Sequence, residues 1–262
     1  MIPFPSPPPG DPVKVSATTF VTWRRCPESA RARLDGHYGP ETRHGFVGAL
    51  AHRVFARHLV RGPVEDPMLE QVCREEIGAA LNPKMSDLGL RPSQLREVID
   101  EVGDLYRRFR RLATGRPEGV EVSVSAEPAT GVTLVGAVDA VFEDPTGVRL
   151  VDWKTGGLGD PADQLDFYAL TWTLERGRAP QVVEALSVRT GERYEARPTV
   201  EGLTRVAEAV SRLVGEVRRA WQRGSDLRRE AGPWCRYCPV LDTCPEGRSA
   251  ASIIDRAGPR PG

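Results

Sequence analysis

Over the first half of the chain, apolar residues recur at about every third or fourth position, the spacing of amphipathic helices. From Ser16, the residues Phe20, Val21 and Trp23 form the apolar side of a short helix. Cys26-Pro27 breaks it, and a second helix runs to about Leu34. The stretch from His37 to Arg43 reads as a loop. Phe46, Leu50, Val54 and Phe55 mark a helix from Gly45 to Arg61. Leu69, Val72, Cys73, Ile77 and Leu81 mark another that starts at Pro67, with Cys73 read as a small core residue. Ser93 is the expected cap of a long helix reaching about Gly115, with Val98, Ile99, Val102, Leu105, Tyr106 and Phe109 on its buried side.

The period then shortens to two. Glu121 to Glu127 alternates, and Val132 to Glu143 and Val148 to Thr155 are rich in β-branched residues. With the turn composition of Asp144-Pro145-Thr146-Gly147, these three stretches predict an antiparallel meander. Gly156-Gly157 ends it. A helix over Pro161 to Arg176, a strand over Val182 to Val188 and a long helix over Glu201 to Arg223 follow. The helix after Thr155 is long enough to bring the next strand back parallel. The expected fold is α/β, a small mixed sheet flanked by helices. Residues 1–13 are Pro-rich and read as a disordered tail. Residues 14–248 are expected to form one domain, with a helical part at 14–116, a core at 117–224 and a cysteine-bearing segment at 225–248; 249–262 reads as a second tail.

A hairpin closed between Glu143 and Val148 sets Asp139 opposite Asp152. Two facing carboxylates at ~5 Å and an effective dielectric of ~20 repel by about 3 kcal/mol. A divalent cation between them removes that objection. Lys154, two residues beyond Asp152, shares its face.

Composition narrows the setting. Hydrophobic residues make up 40% of the chain, with no run of about 18 apolar residues and no apolar signal core at the start. A cytoplasmic protein with no membrane segment is expected. Net charge is zero at pH 7 and the pI is about 6.9, so no strong non-specific polyanion binding is implied. Arginines nevertheless cluster at 24, 25, 31 and 33, at 107, 108, 110 and 111, and at 218, 219 and 223, where solvated helix faces and a phosphate-binding groove are equal readings. Of 36 basic residues only Lys14, Lys84 and Lys154 are lysine. A lysine kept in a strand beside an acid suggests a need for a compact ammonium.

Four motifs now stand in order: Gly48-Ala-Leu-Ala-His52, Gly136-Ala-Val-Asp139, Asp152-Trp-Lys154-Thr155 and Gln164-Leu-Asp-Phe-Tyr168. Together they resemble the PD-(D/E)XK nuclease superfamily, and within it the RecB-like exonuclease branch, over about Ser16 to Cys244. The resemblance implies a restriction-endonuclease-like core. It also implies a Mg²⁺ or Mn²⁺ site formed by Asp139, Asp152, the backbone carbonyl of Trp153 and His52. Hard oxygen ligands suit those ions. Lys154 would orient or deprotonate the attacking water, and Gln164 and Tyr168 would steady Lys154 or the DNA strand. Ala140 departs from the family, which often has arginine there. Glu121 is weighed as a further acid, but alternation does not place it on the site face, and it is expected to be an exposed strand residue.

Cys235-x2-Cys238-x5-Cys244 and the distant Cys26 form a candidate ligand set; Cys26, Cys238 and Cys244 are each followed by proline. In a cytosolic chain, four such thiols suit zinc or an iron–sulfur cluster equally by spacing. The resemblance implies a 4Fe–4S cluster, since RecB-like nucleases of the iron–sulfur type have one cysteine before the core and three after it. A metal-dependent DNA exonuclease on single-stranded ends in repair or recombination is therefore expected, with a helicase or another repair or CRISPR protein as partner. A CRISPR spacer-processing nuclease and a non-catalytic DNA-binding subunit of a helicase–nuclease complex are the alternatives.

Overall fold

The meander expected from the period-two stretches forms, and everything else is arranged around its middle strand. The structure, a computed structural model, describes residues 2–113 and 115–257. Strands β2 (Gly119–Ala129), β3 (Val132–Asp144) and β4 (Gly147–Lys154) pair antiparallel in that order. A helix, α7 (Ala162–Arg176), returns the chain so that β5 (Val182–Ser187) pairs parallel with β4. Two short strands escape the periodicity: β1 (Val13–Ser16), parallel to β3, and β6 (Arg193–Ala196), antiparallel to β5. Four residues hold too few alternations to register as a pattern.

Strand β3 has three partners. β2 follows one edge along most of its length. On the other edge, β1 pairs with Val132 to Val135 and β4 pairs with Ala140 to Asp144. Between them, Gly136 to Asp139 pair with neither strand. The sheet therefore forks at Asp139. Strand β3 also changes face there. Leu134 and Val138 join the core formed with α7 and with α8 (Val200–Arg223), whereas Ala140 and Phe142, of the same parity, join the core on the other face. That second core is built by α3 (Arg43–Arg61), α4 (Leu69–Glu76) and α6 (Pro92–Leu112). Helices α1 (Ala17–Arg25) and α2 (Pro27–Leu34) close the first face, and α5 (Asn82–Leu88) links α4 to α6.

Three local expectations are corrected. Helix α6 is capped at Arg91, whose N–H bonds to Gln94, because Pro92 suits the first helical position and Ser93 falls inside the first turn. It ends at Leu112 rather than about Gly115, and Thr114 lies outside the described residues. The Pro-rich segment is not a loose tail. Ile2 joins the main core, and the guanidinium of Arg218, 2% exposed, donates to the carbonyls of Pro8, Asp11, Thr130 and Gly131 at 2.7 to 3.4 Å. A chain poor in N–H donors still offers carbonyls, and a buried arginine needs several. At the other end, α9 (Pro245–Ala257) occupies the start of the expected second tail, while 258–262 lie outside the described residues.

Candidate active site

The expected register holds: every β3–β4 pair from Ala140↔Val151 to Asp144↔Gly147 obeys it. One step further would set Asp139 opposite Asp152, but the ladder stops. Instead Asp139 Oδ2 accepts the Trp153 N–H at 2.7 Å, so a side chain replaces a ladder bond at the fork. Its other oxygen lies 3.3 Å from His52 Nδ1 on α3. Asp152 turns the other way. Its Oδ1 accepts from Gln164 Nε2 at 2.9 Å, and its Oδ2 lies 2.7 Å from Lys154 Nζ without a well-directed hydrogen bond. Gln164, near the start of α7, bridges the group: its Oε1 accepts from Lys154 at 2.6 Å and its Nε2 also donates to the Tyr168 hydroxyl at 3.0 Å. The sequence thus placed Lys154, Gln164 and Tyr168 with Asp152, and the structure joins them in one network.

Two glycines of the motifs have a steric reason. A Cβ at Gly136 would lie 3.0 Å from the Tyr168 ring, and one at Gly48 would lie 3.2 Å from Thr155 Oγ1. Without side chains there, α7 and α3 approach the strand ends closely enough to present Tyr168 and His52.

Glu121, expected outside the site, belongs to it. Ligand atoms of His52, Glu121 and Asp139 lie within 4.8 Å of one another, the only such trio among the described residues. Asp152 stands outside that trio. Two irregularities hid Glu121. The β2–β3 register shifts between Ala126 and Ala129, which moves every earlier residue of β2 across by one. Glu121 itself has φ +50°, left-handed for a non-glycine residue. Neither irregularity leaves a mark in the alternation.

The charges are strongly coupled. Burial first, and Asp139 second, push the Asp152 carboxyl up to about 6, with Lys154 and His52 pulling against them. Burial raises Glu121 too, helped by Asp139 and opposed by His52 and Arg53. For His52, burial acts downward, but Asp139, with Asp152 and Glu121 behind it, leaves the imidazole raised. Burial and then Asp152 lift the Tyr168 phenol above its ordinary value. Crowded acids whose pKa values rise are a donor set short of positive charge, which a divalent ion supplies. One nitrogen and two carboxylates at that spacing fit a hard or borderline divalent ion.

The cysteines gather at the opposite ends of the chain. Glu28, 3% exposed, accepts two bonds from Arg31 and one from the Leu227 N–H, tying α2 to the C-terminal segment. There the Glu230 N–H points to Cys26 Sγ at 3.4 Å, the Gly232 N–H to Cys235 Sγ at 3.4 Å and the Gly247 N–H to Cys244 Sγ at 3.3 Å; Cys238 Sγ lies 3.5 Å from Ser29 Oγ. Cys73 stands apart, fully buried, its thiol pushed up to about 12 by burial and by Glu70 and Glu76.

A mixed sheet whose adjoining strands end in acids and a lysine, with helices on both faces, is the frame of a restriction-endonuclease-like enzyme. The model of the PD-(D/E)XK nuclease superfamily matches residues 14–245, and the chain belongs to that superfamily. It is therefore a nuclease, a hydrolase of a class that uses divalent metal and acts on DNA. The crystal structure of a "Putative exonuclease" from Eubacterium rectale is similar in fold, at 13% identity and a TM-score of 0.50 over 87% of this chain and 86% of that chain. The crystal structure of SSO0001 aligns over 88% of this chain and 85% of that chain at 15% identity and a TM-score of 0.40. The comparison with curated proteins found no match. No helix among the described residues is long and apolar enough to cross a membrane.

Proposed function

We propose that this chain is a metal-dependent exonuclease of the RecB-like branch, folded as one domain, that hydrolyses single-stranded DNA ends in repair or recombination and carries a 4Fe–4S cluster. The observation that carries the reading is the Lys154–Asp152–Gln164–Tyr168 network set beside the His52–Glu121–Asp139 trio. His52, Glu121 and Asp139 would hold a Mg²⁺ or Mn²⁺ ion, with Asp152 and the Trp153 carbonyl as further oxygens. When bound, the ion neutralises phosphate charge and makes a coordinated water acidic.

The chain's own groups do the remainder. Lys154 Nζ lies 2.7 Å from Asp152 and can orient the attacking water or face the phosphate as negative charge develops. Gln164 fixes the rotamer of Lys154 and the direction of Asp152 at once, so its amide is a positioning group. Tyr168 stays protonated and offers its hydroxyl to the same network. Burial of Asp152, 5% exposed, keeps water from screening these contacts.

For the cluster, three backbone N–H groups directed at cysteine sulfurs suit thiolates. The name of the Eubacterium rectale protein points toward the exonuclease reading.

The test is degradation of an end-labelled single-stranded oligonucleotide with Mn²⁺, with and without chelator, by the wild type and by Asp139→Ala, Asp152→Ala and Lys154→Ala. The wild type shortens the strand from its ends and the variants do not; normal cutting by all three overturns the site. Anaerobically purified protein should be brown, with iron and sulfide. A colourless protein holding zinc removes the cluster.

A further inference from the structure

A groove of about 610 Å³ runs along α3 away from the metal-ligand trio, with His52 and Glu121 at one end. Resting on the nuclease reading above, we propose that this groove is the track of the single DNA strand, with Arg53, Arg57 and Arg61 holding its backbone. Those three arginines repeat every fourth residue, so they form one stripe on one face of the helix, about 6 Å apart per step. The stripe starts beside His52. A strand whose phosphate lies at the trio has its neighbouring phosphates beside these guanidiniums.

The arginines are not idle in the free protein. Glu76 lies 2.7 Å from Arg53 Nη2 and 3.6 Å from Arg57 Nη1, and Glu75 lies 2.7 Å from Arg57 Nη1. These pairs orient the stripe, and each guanidinium has five donors, more than the carboxylates engage. Arg61 ends the stripe as an exposed side chain. Glu76 lines the groove with them, and the remaining lining is apolar. Val60, 68% exposed, lines the groove with Leu81 and Val120. A wall of cations facing apolar surface matches a single strand, which presents phosphates and unstacked bases together. The arginine cluster at the end of α6 is spent differently: Arg107 and Arg110 pair with Asp66, and Arg108 donates to the Arg189 carbonyl.

The experiment compares the wild type with Arg61→Gln and with the double variant Arg57→Gln/Arg61→Gln. Affinity for a short single-stranded oligonucleotide is measured by fluorescence anisotropy in Ca²⁺ over a salt series. Hydrolysis of thymidine 5′-p-nitrophenyl phosphate in Mn²⁺, a substrate too small to reach Arg57, reports the metal site separately. The double variant should bind about tenfold more weakly and lose about 1.4 from the slope of log K against log salt, about 0.7 per arginine. The small substrate should turn over at the wild-type rate. Arg61→Gln changes only an exposed side chain and should show half of the slope change by itself, so it decides the matter if the double variant does not fold. Unchanged affinity and slope overturn the track. An equal loss on duplex DNA overturns the single-strand assignment. A wild type that binds DNA with the expected slope but hydrolyses neither substrate sinks the nuclease reading and leaves the track standing.

Discussion

Asp139, Asp152 and Lys154 stand on neighbouring strands of one sheet, whereas Cys26, the cap of α2, and Cys235, in a short 3-10 helix, are more than two hundred residues apart. Both groups are candidate sets of metal ligands, but they are supported differently. The acids rest on hydrogen-bonded strands with packed cores on both faces, and their own partners, Gln164, Lys154 and the Trp153 N–H, already hold them in place. The thiols rest on single-turn helices and loops joined to α2 by Glu28 and a few backbone bonds. The first arrangement is organised by the chain's own contacts. The second brings distant stretches of chain together and, on the proposed reading, would gain from a group that locks them. Ligands removed from the two places should therefore fail in opposite ways.

The largest effect is expected at the sheet. Asp139→Ala should lower the rate of DNA hydrolysis in Mn²⁺ by about a thousandfold or more, while its thermal midpoint stays within a few degrees of the wild type. A collapse of that midpoint in a calorimetric scan would make Asp139 structural and erase the contrast. Next comes Cys235→Ser. Losing a crosslink that closes so long a loop removes about 5 kcal/mol, or on the order of 10 °C in midpoint. Iron analysis and a melt of the same sample check this; an iron-free variant that melts with the wild type breaks the comparison from the other side.

A smaller effect should appear in the pH dependence of metal binding. Burial first, and Asp139 second, push the Asp152 carboxyl up to about 6 from its ordinary value of 3.8. The folded state thus holds this proton more tightly than the unfolded one, so metal-free stability from this group falls as pH rises from about 4 to about 6. A divalent ion must displace the proton. The rise in midpoint on adding Mn²⁺ should be small at pH 5 and full by about pH 7.5; a rise independent of pH would separate Asp152 from the ion. The mildest change is Glu28→Gln, expected to cost about 1–3 kcal/mol in a urea titration at pH 7. Despite its burial, Arg31 and the Leu227 N–H hold the Glu28 carboxyl below its ordinary 4.5. Its contribution is therefore present above that value and lost as pH falls below it, so wild type and variant should converge in acid.

Much of this was legible from residue order. The helix faces at Phe46–Phe55 and Val98–Phe109 are buried as their spacing requires, and the β3–β4 register follows from one turn. Of the residues that the four motifs single out, Asp152, Lys154, Gln164 and Tyr168 do come together, because strand alternation and a helical turn are short-range rules. What escaped depends on longer-range geometry. Glu121 reaches the trio through a bulge several residues away and a left-handed backbone angle. Asp139 and Asp152 do not simply face each other, because β3 turns over at the fork, and no local periodicity encodes a strand that changes face. The N-terminal segment is ordered by Arg218, which lies some two hundred residues away in sequence.

That arginine has a practical corollary. Its cation is sealed from water and depends on a handful of main-chain oxygens, two of which belong to Pro8 and Asp11. Anyone trimming the molecule to its apparent catalytic unit would be tempted to cut just ahead of β1. Such a cut would leave a stranded charge beneath α8, so a shortened version is better begun upstream of Pro8, or paired with a neutral replacement at position 218.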